Sequence, residues 1–598
     1  MNQALQEAPA RKAETSDSKL AQQWLSALEA ALQSGNADAV AALFTQHDCH
    51  WRDLLAFTWH ITPNRGAKEI GAGLVSGQSV VKAHNFVLAE GRTAPRRMQR
   101  AGNTVIEAIF SFETAVGRGN GVLRLPVDNP SQAFQLMTSL QELKGFEEQV
   151  GRNRPTGSTY SRNFGGMNWK DQRLQQQRYE DREPAVLIVG GGQAGLTAAA
   201  RLVRLGVDTL VIDRYEQIGD CWRKRYHSLA LHNYTDINHL PYMPFPTNWP
   251  KYLPKDMLAD WFESYVWAQE INYWTGTEFV SGSYDEGSGT WKALVRRTDG
   301  TERTLRPRHI ILANGVIGAP SIPDIPGLKD FKGDVMHVAK FSTGAQWRGK
   351  KALVLGTGNS GHDVAQDLHG NGVDTTIVQR GSTTVVSVDP SAKLVHAPFM
   401  DGTPIDDVDL IATANTMPMT TQNMQNLAKR MIELDKDLIA GLKAKGFKWD
   451  MGEDNAGHQM KIRRRFGGYY LNCGCSELII SGEIGLLQYE TIEKFVASGA
   501  LLKDGSVKPA DLVVMATGYQ PQQRVVAQLF GEAMAQKVGA VWGIAPDGEM
   551  NNMWKRTPQE GLWFVGAGFA NCRQYSKFIA LQIKAIEEGL LAKKRVVS

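Results

Sequence analysis

The sequence is short of long apolar runs, of cysteine and of charge of one sign. Arg201 and Arg204 interrupt the most apolar stretch, so we expect no transmembrane helix, and the N-terminus has no apolar segment that would direct export. Only 5 of 598 residues are cysteine, which excludes a disulfide framework and favours a cytoplasmic location. The net charge of +4 is small for this length and indicates neither nucleic acid nor membrane as a partner.

The cysteines that are present predict neither redox nor metal chemistry. Flavin disulfide reductases need two cysteines a few residues apart, and Cys221 has no cysteine near it in the sequence. Cys473 and Cys475 are separated by a single glycine, which is too tight for an ordinary redox dithiol, and no second pair completes a zinc site. We therefore interpret these cysteines as structural and predict no metal site.

A glycine-rich turn, Gly190 to Gly195, has the setting of a dinucleotide-binding unit. An apolar run at 185–189 precedes it and a helical pattern at 196–205 follows. The first glycine permits a tight turn, the second lets a pyrophosphate approach the backbone, and the third lets the helix pack against the strand. Asp213 ends the next apolar strand, where an acid can bind a ribose diol. The predicted contacts are Gly190, Gly192, Gln193, Ala194, Gly195 and Asp213.

A second turn, Gly356 to Gly361, repeats this pattern with one change. Its following strand, 375–378, ends in Gln379-Arg380 and not in an acid. A guanidinium can pair with a 2′-phosphate that a carboxylate would repel, so Arg380 favours NADPH over NADH. The alternative is an ordinary surface arginine. The predicted contacts are Gly356, Gly358, Asn359, Ser360, Gly361 and Arg380. Two such turns in one chain indicate an enzyme that holds a flavin and a nicotinamide together.

The first 150 residues have a different pattern and predict a separate domain. Apolar residues recur at helical spacing over 24–32, and long stretches with alternating apolar residues follow around 105–112 and 134–140. Helices followed by long alternating strands predict an α+β domain with a curved antiparallel sheet. Asp48, His50 and Asp53 are candidates for an acid–base site there, although we favour a structural or assembly role.

A third motif identifies a family. Phe331-x-Gly333-x-x-x-His337-x-x-x-Phe341 resembles the fingerprint of class B flavoprotein monooxygenases, and Phe341 is similar to the last position in flavin-containing monooxygenases. The segments Gly219 to Trp222 and Leu512 to Tyr519 resemble two further motifs of that family. The N-terminal part resembles the cone-shaped extension, related to nuclear transport factor 2, of the type II subgroup.

The resemblance implies an α/β fold with two Rossmann-like domains, one for FAD and one for NAD(P)H, behind the α+β N-terminal domain. It also implies a homodimer. We predict these boundaries: N-terminal domain 1–150, linker 151–183, FAD domain 184–345, NAD(P)H domain 346–510 with a helical insertion at 387–470, and a C-terminal part of the FAD domain at 511–598.

The implied reaction is a monooxygenation. NADPH reduces FAD, with NADH as the alternative, and dioxygen then forms a C4a-(hydro)peroxyflavin. This intermediate oxygenates a small apolar amine, sulfide or ketone. Oxygenation of a ketone would be a Baeyer–Villiger oxidation. Asn233 matches the catalytic asparagine of the family within one residue, with His232 as the alternative. Arg214, Trp222 and Thr517 match further cofactor-binding positions.

Three interpretations of the sequence have alternatives: the function, the role of His337 and the role of the methionines. A non-oxygenating flavoprotein, either an NAD(P)H oxidase or a flavin-based sensing protein, is the alternative function. His337 is interpreted as a hinge residue between domains and not as an acid or base. The methionines of the insertion predict core packing, with adaptable lining of an apolar substrate pocket as the alternative.

Overall fold

The computed structural model describes residues 16–315 and 319–593; the extreme N-terminus, for which we predict no export signal, lies in part outside them. The chain forms two compact units. The first unit comprises residues 1–145 together with 403–419, and the second comprises residues 146–402 and 420–598.

The helices and strands have the following bounds. The helices are α1 Ser16–Ser34, α2 Ala37–Ala41, α3 Ala67–Val81, α4 Trp169–Gln176, α5 Gln193–Arg204, α6 Asp220–Arg223, α7 Lys255–Ala268, α8 Asn359–Gly370, α9 Ile405–Thr413, α10 Met417–Leu434, α11 Lys436–Ala444, α12 Gly457–Arg465, α13 Cys475–Ser481, α14 Gln522–Phe530, α15 Glu532–Val538 and α16 Phe569–Glu587. The strands are β1 His50–Leu54, β2 Ile61–Arg65, β3 His84–Leu88, β4 Arg96–Arg100, β5 Asn103–Glu113, β6 Gly117–Pro126, β7 Gln135–Leu143, β8 Val186–Val189, β9 Thr209–Ile212, β10 Ala230–Tyr234, β11 Tyr252–Pro254, β12 Asn272–Trp274, β13 Thr277–Asp285, β14 Thr290–Arg297, β15 Glu302–Leu305, β16 His309–Leu312, β17 Asp334–His337, β18 Lys351–Leu355, β19 Asp374–Gln379, β20 Thr384–Ser387, β21 Tyr469–Asn472, β22 Gly485–Gln488, β23 Ile492–Val496, β24 Gly499–Leu502, β25 Val507–Pro509, β26 Leu512–Met515 and β27 Leu562–Phe564.

The first unit is built on one sheet with the strand order β2-β1-β7-β6-β5-β3, and β4 pairs with β5. Its pairs are antiparallel except for β1 and β7. Helix α1 buries the apolar stripe that its spacing predicts, which includes Trp24, Leu28 and Leu32. The predicted combination of helices with long antiparallel strands is therefore present in this unit.

The first unit differs from the predicted 1–150 domain in its extent. It ends at Gly145, and it includes residues 403–419, which we predicted as part of the insertion in the NAD(P)H domain. The sequence does not indicate this return because the contacts that hold the segment join residues about 300 positions apart. The predicted linker also contains one ordered helix, α4, which begins with a capping box at Asn168 and Asp171.

The second unit contains two parallel sheets that carry the glycine-rich turns. The first has the order β12-β9-β8-β16-β27, and β8, β9, β16 and β27 are buried along their whole length. Buried on both faces, these strands are uninterrupted apolar runs, as predicted for 185–189. The turn after β8 leads into α5, which lies against α16 from the end of the chain.

The second parallel sheet has the order β17-β26-β18-β19-β22. Two of its strands correct the predicted boundaries, because β17 lies before residue 346 and β26 lies after residue 510. Both pair in parallel with the sheet that contains β18, which precedes the second glycine-rich turn. The chain thus crosses into the second sheet earlier, and leaves it later, than the sequence pattern indicates.

The region 387–470 is largely helical, as predicted, and contains α9 to α12. The methionine-rich helix is α10, in which Met419 is 1% exposed and Met431 is 3% exposed. These two side chains pack into separate apolar clusters, Met419 with Ala101, Val105 and Phe134 and Met431 with Val386 and Ala392. Both methionines therefore serve core packing. In the described residues, no helix combines the length and the apolar character needed to cross a bilayer.

Candidate functional site: two dinucleotide turns

The first glycine-rich turn is closed at its outer glycines and open at the middle one. Gly190 has a φ of +109°, and a Cβ there would lie 2.6 Å from the carbonyl oxygen of Ala313. A Cβ at Gly195 would collide with the carbonyl oxygen of Gly190. At Gly192, which caps α5, a Cβ would have only the Cys221 sulfur within 4 Å, at 3.9 Å. The turn thus has space where a pyrophosphate would meet the N-terminus of α5.

Asp213 follows β9 and is tied to the same turn. Its carboxylate accepts hydrogen bonds from the N–H groups of Gly191, at 2.7 Å, and Tyr215, at 2.9 Å. Each carboxylate oxygen has a second lone pair, so Asp213 can also accept from ribose hydroxyls. The neighbouring Arg214 is exposed, with its guanidinium 5.2 Å from the ring of Tyr215.

Two other residues of the predicted flavin site lie near the beginning of α16. The Gln193 amide donates to the carbonyl oxygen of Ala567 at 3.2 Å. Trp222, in α6, packs its ring 5.8 Å from that of Phe569. Ala194 is buried in the first turn of α5. The structure thus brings the residues around the first turn together with a segment from the end of the chain.

The second turn has the geometry of the first. Gly356 has a φ of +120°, and a Cβ there would collide with the carbonyl oxygen of Ala516. A Cβ at Gly361 would collide with the carbonyl oxygen of Gly356. A Cβ at Gly358 would have only the carbonyl oxygen of Tyr469 within 4 Å, at 3.8 Å. The open middle glycine and the helix N-terminus behind it therefore occur twice in the same unit.

The other predicted residues of the second turn have different environments. The side-chain oxygen of Asn359 accepts a 2.8 Å hydrogen bond from the N–H of Leu471, which joins α8 to β21. Ser360 lies in the first turn of α8. Arg380 directly follows β19 and is exposed, whereas the preceding Gln379 is buried and hydrogen-bonded to the main chain of Lys448.

His337 connects the fingerprint motif to the segment after β26. Its Nε2 donates to the carbonyl oxygen of Gly518 at 3.0 Å, and its Nδ1 accepts from the N–H of Ala339 at 3.2 Å. Burial lowers the pKa of His337. Both ring nitrogens are therefore used in holding the backbone, which supports a structural role at a domain connection. In the same segment, Thr517 donates from its hydroxyl to the carbonyl oxygen of Ser321 at 2.6 Å.

Asn233 and His232 lie side by side in β10 and are half-buried. The pairing of β10 with β11 shifts register between Ala230 and Tyr234, so both residues lie in an irregular part of the strand. Asp363, half-buried in the first turns of α8, lies within electrostatic reach of His232. Burial raises the pKa of Asp363, and the charge of His232 opposes that rise.

The acid–base candidates of the first unit do not form one cluster. His50 Nε2 lies 3.2 Å from an oxygen of Asp48. Asp53 projects from the other face of β1 and accepts hydrogen bonds from Thr58 and Thr138. Burial raises the pKa of Asp53 to about 6, and these hydrogen bonds limit the rise. The three residues are close in the sequence and suggested a single site. In the structure, Asp53 lies on the other face of β1 from His50.

A family model described as flavin-binding monooxygenase-like matches residues 183–528, more than half of the chain. The chain belongs to the flavin-binding monooxygenase-like family. This monooxygenase is an NAD(P)H-dependent enzyme with FAD and NADP as cofactors. The open middle glycines of the two turns fit these cofactors, since a side chain at either position would occupy the space that a pyrophosphate needs.

The monooxygenase is similar to several known proteins. Indole-3-pyruvate monooxygenase YUCCA1 of Oryza sativa subsp. japonica is 30% identical over 362 residues, which cover 58% of this chain and 80% of that protein. Probable indole-3-pyruvate monooxygenase YUCCA9 of Arabidopsis thaliana is 32% identical over 385 residues, covering 64% and 83%. Among solved structures, a flavin-containing monooxygenase from Stenotrophomonas maltophilia has a TM-score of 0.46 and 18% identity, covering 67% of this chain and 98% of that one. Cyclohexanone monooxygenase from Rhodococcus sp. Phi1 bound to NADP+ has a TM-score of 0.47 and 18% identity, covering 68% and 84%.

Sequence reasoning missed three polar residues near the candidate site of this monooxygenase, Tyr226, Asp363 and Arg573. The Tyr226 hydroxyl donates to the carboxylate of Asp363, which joins the segment after α6 to α8. Arg573, in α16, is buried and donates to the carbonyl oxygens of Ile237 and His239 at 2.8 Å each. The position of Asp363, two residues after the last glycine of the turn, is a signal that could have identified it.

The cysteines of the monooxygenase support their structural interpretation. Burial raises the pKa of Cys221 to about 12, so this residue beside the first turn is a thiol and not a reactive thiolate at neutral pH. Burial likewise raises the pKa of Cys473 to about 11 and that of Cys475 further. All five cysteines are free.

Proposed function

We propose that this monooxygenase uses NADPH, FAD and dioxygen to oxygenate a small, largely apolar amine, sulfide or ketone, including Baeyer–Villiger oxidation of a ketone. The observation that carries the proposal is the pair of turns with the same geometry, each open at its middle glycine. His337 supports it, because its bond to Gly518 joins β17 to the segment after β26, and both strands belong to the sheet that carries the second turn.

We assign the first turn to FAD and the second to NADPH, each in a Rossmann-like domain. Asp213 supports the first assignment because its buried carboxylate stands at the end of the second strand. Arg380 supports the second because its side chain is exposed and positively charged, one residue beyond the position equivalent to Asp213, which Gln379 occupies. The further cofactor contacts that we propose are Gln193, Ala194, Arg214, Trp222, Asn359, Ser360 and Thr517.

We assign the catalytic hydrogen-bond donor to Asn233, with His232 as the alternative. When bound, FAD supplies the centre that reacts with dioxygen. An amide can donate a hydrogen bond there without supplying a mobile proton. Imidazole side chains, unlike amides, gain and lose protons near neutral pH. This difference favours Asn233 as a donor of fixed protonation.

The substrate class that we favour within this range is a ketone. The two plant relatives are named for action on indole-3-pyruvate, an aromatic compound with a keto group. Each match covers at most 64% of this chain.

For the first unit we propose a fold related to nuclear transport factor 2, because its helices precede and cover one mostly antiparallel sheet. We also propose a homodimer and a cytoplasmic location. Sedimentation of the purified protein tests the dimer: a single species with the mass of one chain, 66.0 kDa, would contradict it.

The central experiment supplies the purified enzyme with NADPH, labelled dioxygen and a panel of a tertiary amine, a dialkyl sulfide, a cyclic ketone and indole-3-pyruvate. We expect one labelled oxygen atom in an organic product by mass spectrometry. Release of hydrogen peroxide alone, with every compound, would support the non-oxygenating oxidase. The matched control is Gly358→Val, which we expect to retain FAD and to lose NADPH-driven turnover.

A further inference from the structure

The sheet of the first unit carries a row of polar side chains across one face. In register, Arg96 is opposite Glu107, Glu107 is opposite Arg124, Arg124 is opposite Gln135, and Gln135 is opposite His50. Residues directly opposite each other project to the same face, so these five side chains form one line, which we call the polar row. Its three central members, Glu107, Arg124 and Gln135, are at most 2% exposed.

The centre of the polar row is an ionic cluster that is satisfied on one side. Glu107 accepts hydrogen bonds from Arg100 at 2.7 Å and from Arg124 Nε at 2.9 Å. Burial alone would raise the pKa of Glu107, but Arg124 and Arg100 lower it to about 2. Glu107 thus fixes the Arg124 guanidinium, whose Nη1 projects away from the carboxylate toward a further acceptor.

The acceptors come from residues 413–416 of the same unit. Arg124 Nη1 donates to the side-chain oxygen of Asn415 at 2.6 Å, and Gln135 Nε2 donates to the carbonyl oxygen of Ala414. The Thr416 hydroxyl lies 3.1 Å from His50 Nδ1. Ala414 is completely buried and Thr416 is 1% exposed. The polar row therefore binds the short connection between α9 and α10 through its main-chain and polar side-chain oxygens, as a binding site binds a peptide.

A second anchor holds the other end of the segment. Asp407, in α9, is 1% exposed and accepts hydrogen bonds from the Arg92 guanidinium at 2.6 Å, the Thr93 N–H at 2.7 Å and the Thr93 hydroxyl at 2.5 Å. Its neighbour Asp406 is exposed. Helix α9 ends at Thr413, so both of its ends are fixed. Asp407 fixes the N-terminal end, and the donors Arg124 and Gln135 lie next to the C-terminal end.

We propose that the polar row is an internal peptide-binding site whose ligand is residues 403–419, and that this docking positions the helical insertion for the reaction. The first unit would then bind residues 403–419, which lie within the predicted insertion of the NAD(P)H domain. Asp407 and Asn415 are its positioning residues, since they act through the segment.

The docked segment is continuous with α10, whose contacts in the second unit extend toward the predicted catalytic strand. Met431 packs on Val386 and Ala392. Within the same stretch, Asp389 accepts a 2.9 Å hydrogen bond from the hydroxyl of Tyr234, the residue after Asn233. A loosened segment would therefore disturb the support of β10. This second step rests on the proposed function of Asn233, whereas the docking itself does not.

The test compares Asp407→Asn with Asp406→Asn in the full-length, FAD-loaded protein. We expect hydrogen–deuterium exchange of peptides from 403–419 to become at least tenfold faster in Asp407→Asn and to stay unchanged in Asp406→Asn. We also expect the rate of hydrogen peroxide release per enzyme, with saturating NADPH in air and no organic substrate, to rise several-fold at unchanged FAD content. Asn415→Ala should behave like Asp407→Asn. Asn415→Asp, which keeps an acceptor for Arg124, should restore both measurements.

Each outcome is decisive. Unchanged exchange in both Asp407→Asn and Asn415→Ala would overturn the docking. Faster exchange with unchanged peroxide release would overturn the positioning role and leave the first unit as a purely structural anchor. If the unmodified protein does not oxidise NADPH, the proposed function fails, and the exchange measurement still decides whether the polar row binds the segment.

Discussion

The imidazole of His362 lies flat on the ring of Tyr470, with centroids 3.9 Å apart and planes inclined by 5°. Both residues are fully buried. His362 Nδ1 lies 3.1 Å from the carbonyl oxygen of Gly358, the open glycine of the second turn. Burial lowers the pKa of His362 to about 4, so the ring is neutral at physiological pH and donates to that carbonyl.

This depressed pKa predicts that acid destabilises the protein. The unfolded histidine binds a proton below about pH 6.5, whereas the folded one resists it down to about pH 4, so stability is present above 6.5 and lost as the pH falls. His362→Phe keeps a flat ring on Tyr470 and cannot titrate. Between about pH 7.5 and 5, we expect this variant to lose about 2 kcal/mol less than the unmodified protein in urea unfolding. The exposed His47→Ala should show the full loss; equal pH dependence in all three proteins would contradict the assignment.

Gly192→Val should remove FAD without unfolding the chain. The only atom within 4 Å of the added Cβ is the Cys221 sulfur, at 3.9 Å, so the fold has room for the branch that the pyrophosphate would meet. We expect a protein that melts normally but purifies colourless. Gly157→Val, in an exposed turn with no atom within 4 Å of its Cβ, is the control and should stay yellow. A full flavin spectrum in Gly192→Val would show that FAD binds elsewhere.

Arg380→Ala should change the preference between nicotinamides. Loss of a charge-assisted bond to the 2′-phosphate weakens NADPH by about 1.5–3 kcal/mol and spares NADH. Binding constants for both nucleotides measure the difference. Arg348→Ala, an exposed arginine before β18, serves as the control and should change neither. Equal losses for NADPH and NADH, or none, would mean that Arg380 does not bind the phosphate.

Asn233→Ala should separate NADPH consumption from product formation. Since we assign FAD and NADPH to the two turns, we expect the rate of flavin reduction to change little. Without the amide donor, oxygenated product per NADPH should fall while hydrogen peroxide rises. The measurement is the ratio of product to NADPH consumed, with the substrate identified in the labelled-oxygen panel.

His232→Ala distinguishes the two neighbours. The two residues are adjacent in β10, and we assign the donor to only one of them. If the product formed per NADPH consumed falls only in His232→Ala, the catalytic donor is His232 and not Asn233. Full coupling in both variants would exclude this strand from the site.

The two turns and their strands could be predicted from the sequence because they are local. A glycine at φ +109° or +120°, a buried apolar run before it and a helix after it all lie within about twenty residues, and each has its own backbone requirement. The same holds for α1 and the alternating strands of the first unit. Asn233 and Arg380 were placed by pattern too, and their roles stay predictions.

Only the tertiary structure decided which distant segments share a sheet or a face. Nothing near β26 in the sequence indicates that it pairs with β18, and Asp407 resembles its exposed neighbour Asp406 until Arg92 and Thr93 surround it. Asp48, His50 and Asp53 are close in sequence, yet strand alternation places Asp53 on the other face of β1 from His50, which stays beside Asp48. Sequence patterns report the periodicity of one element, whereas pairing and burial depend on residues hundreds of positions away. For this reason the glycine-rich turns were evident from the sequence, and the docking of 403–419 on the polar row was not.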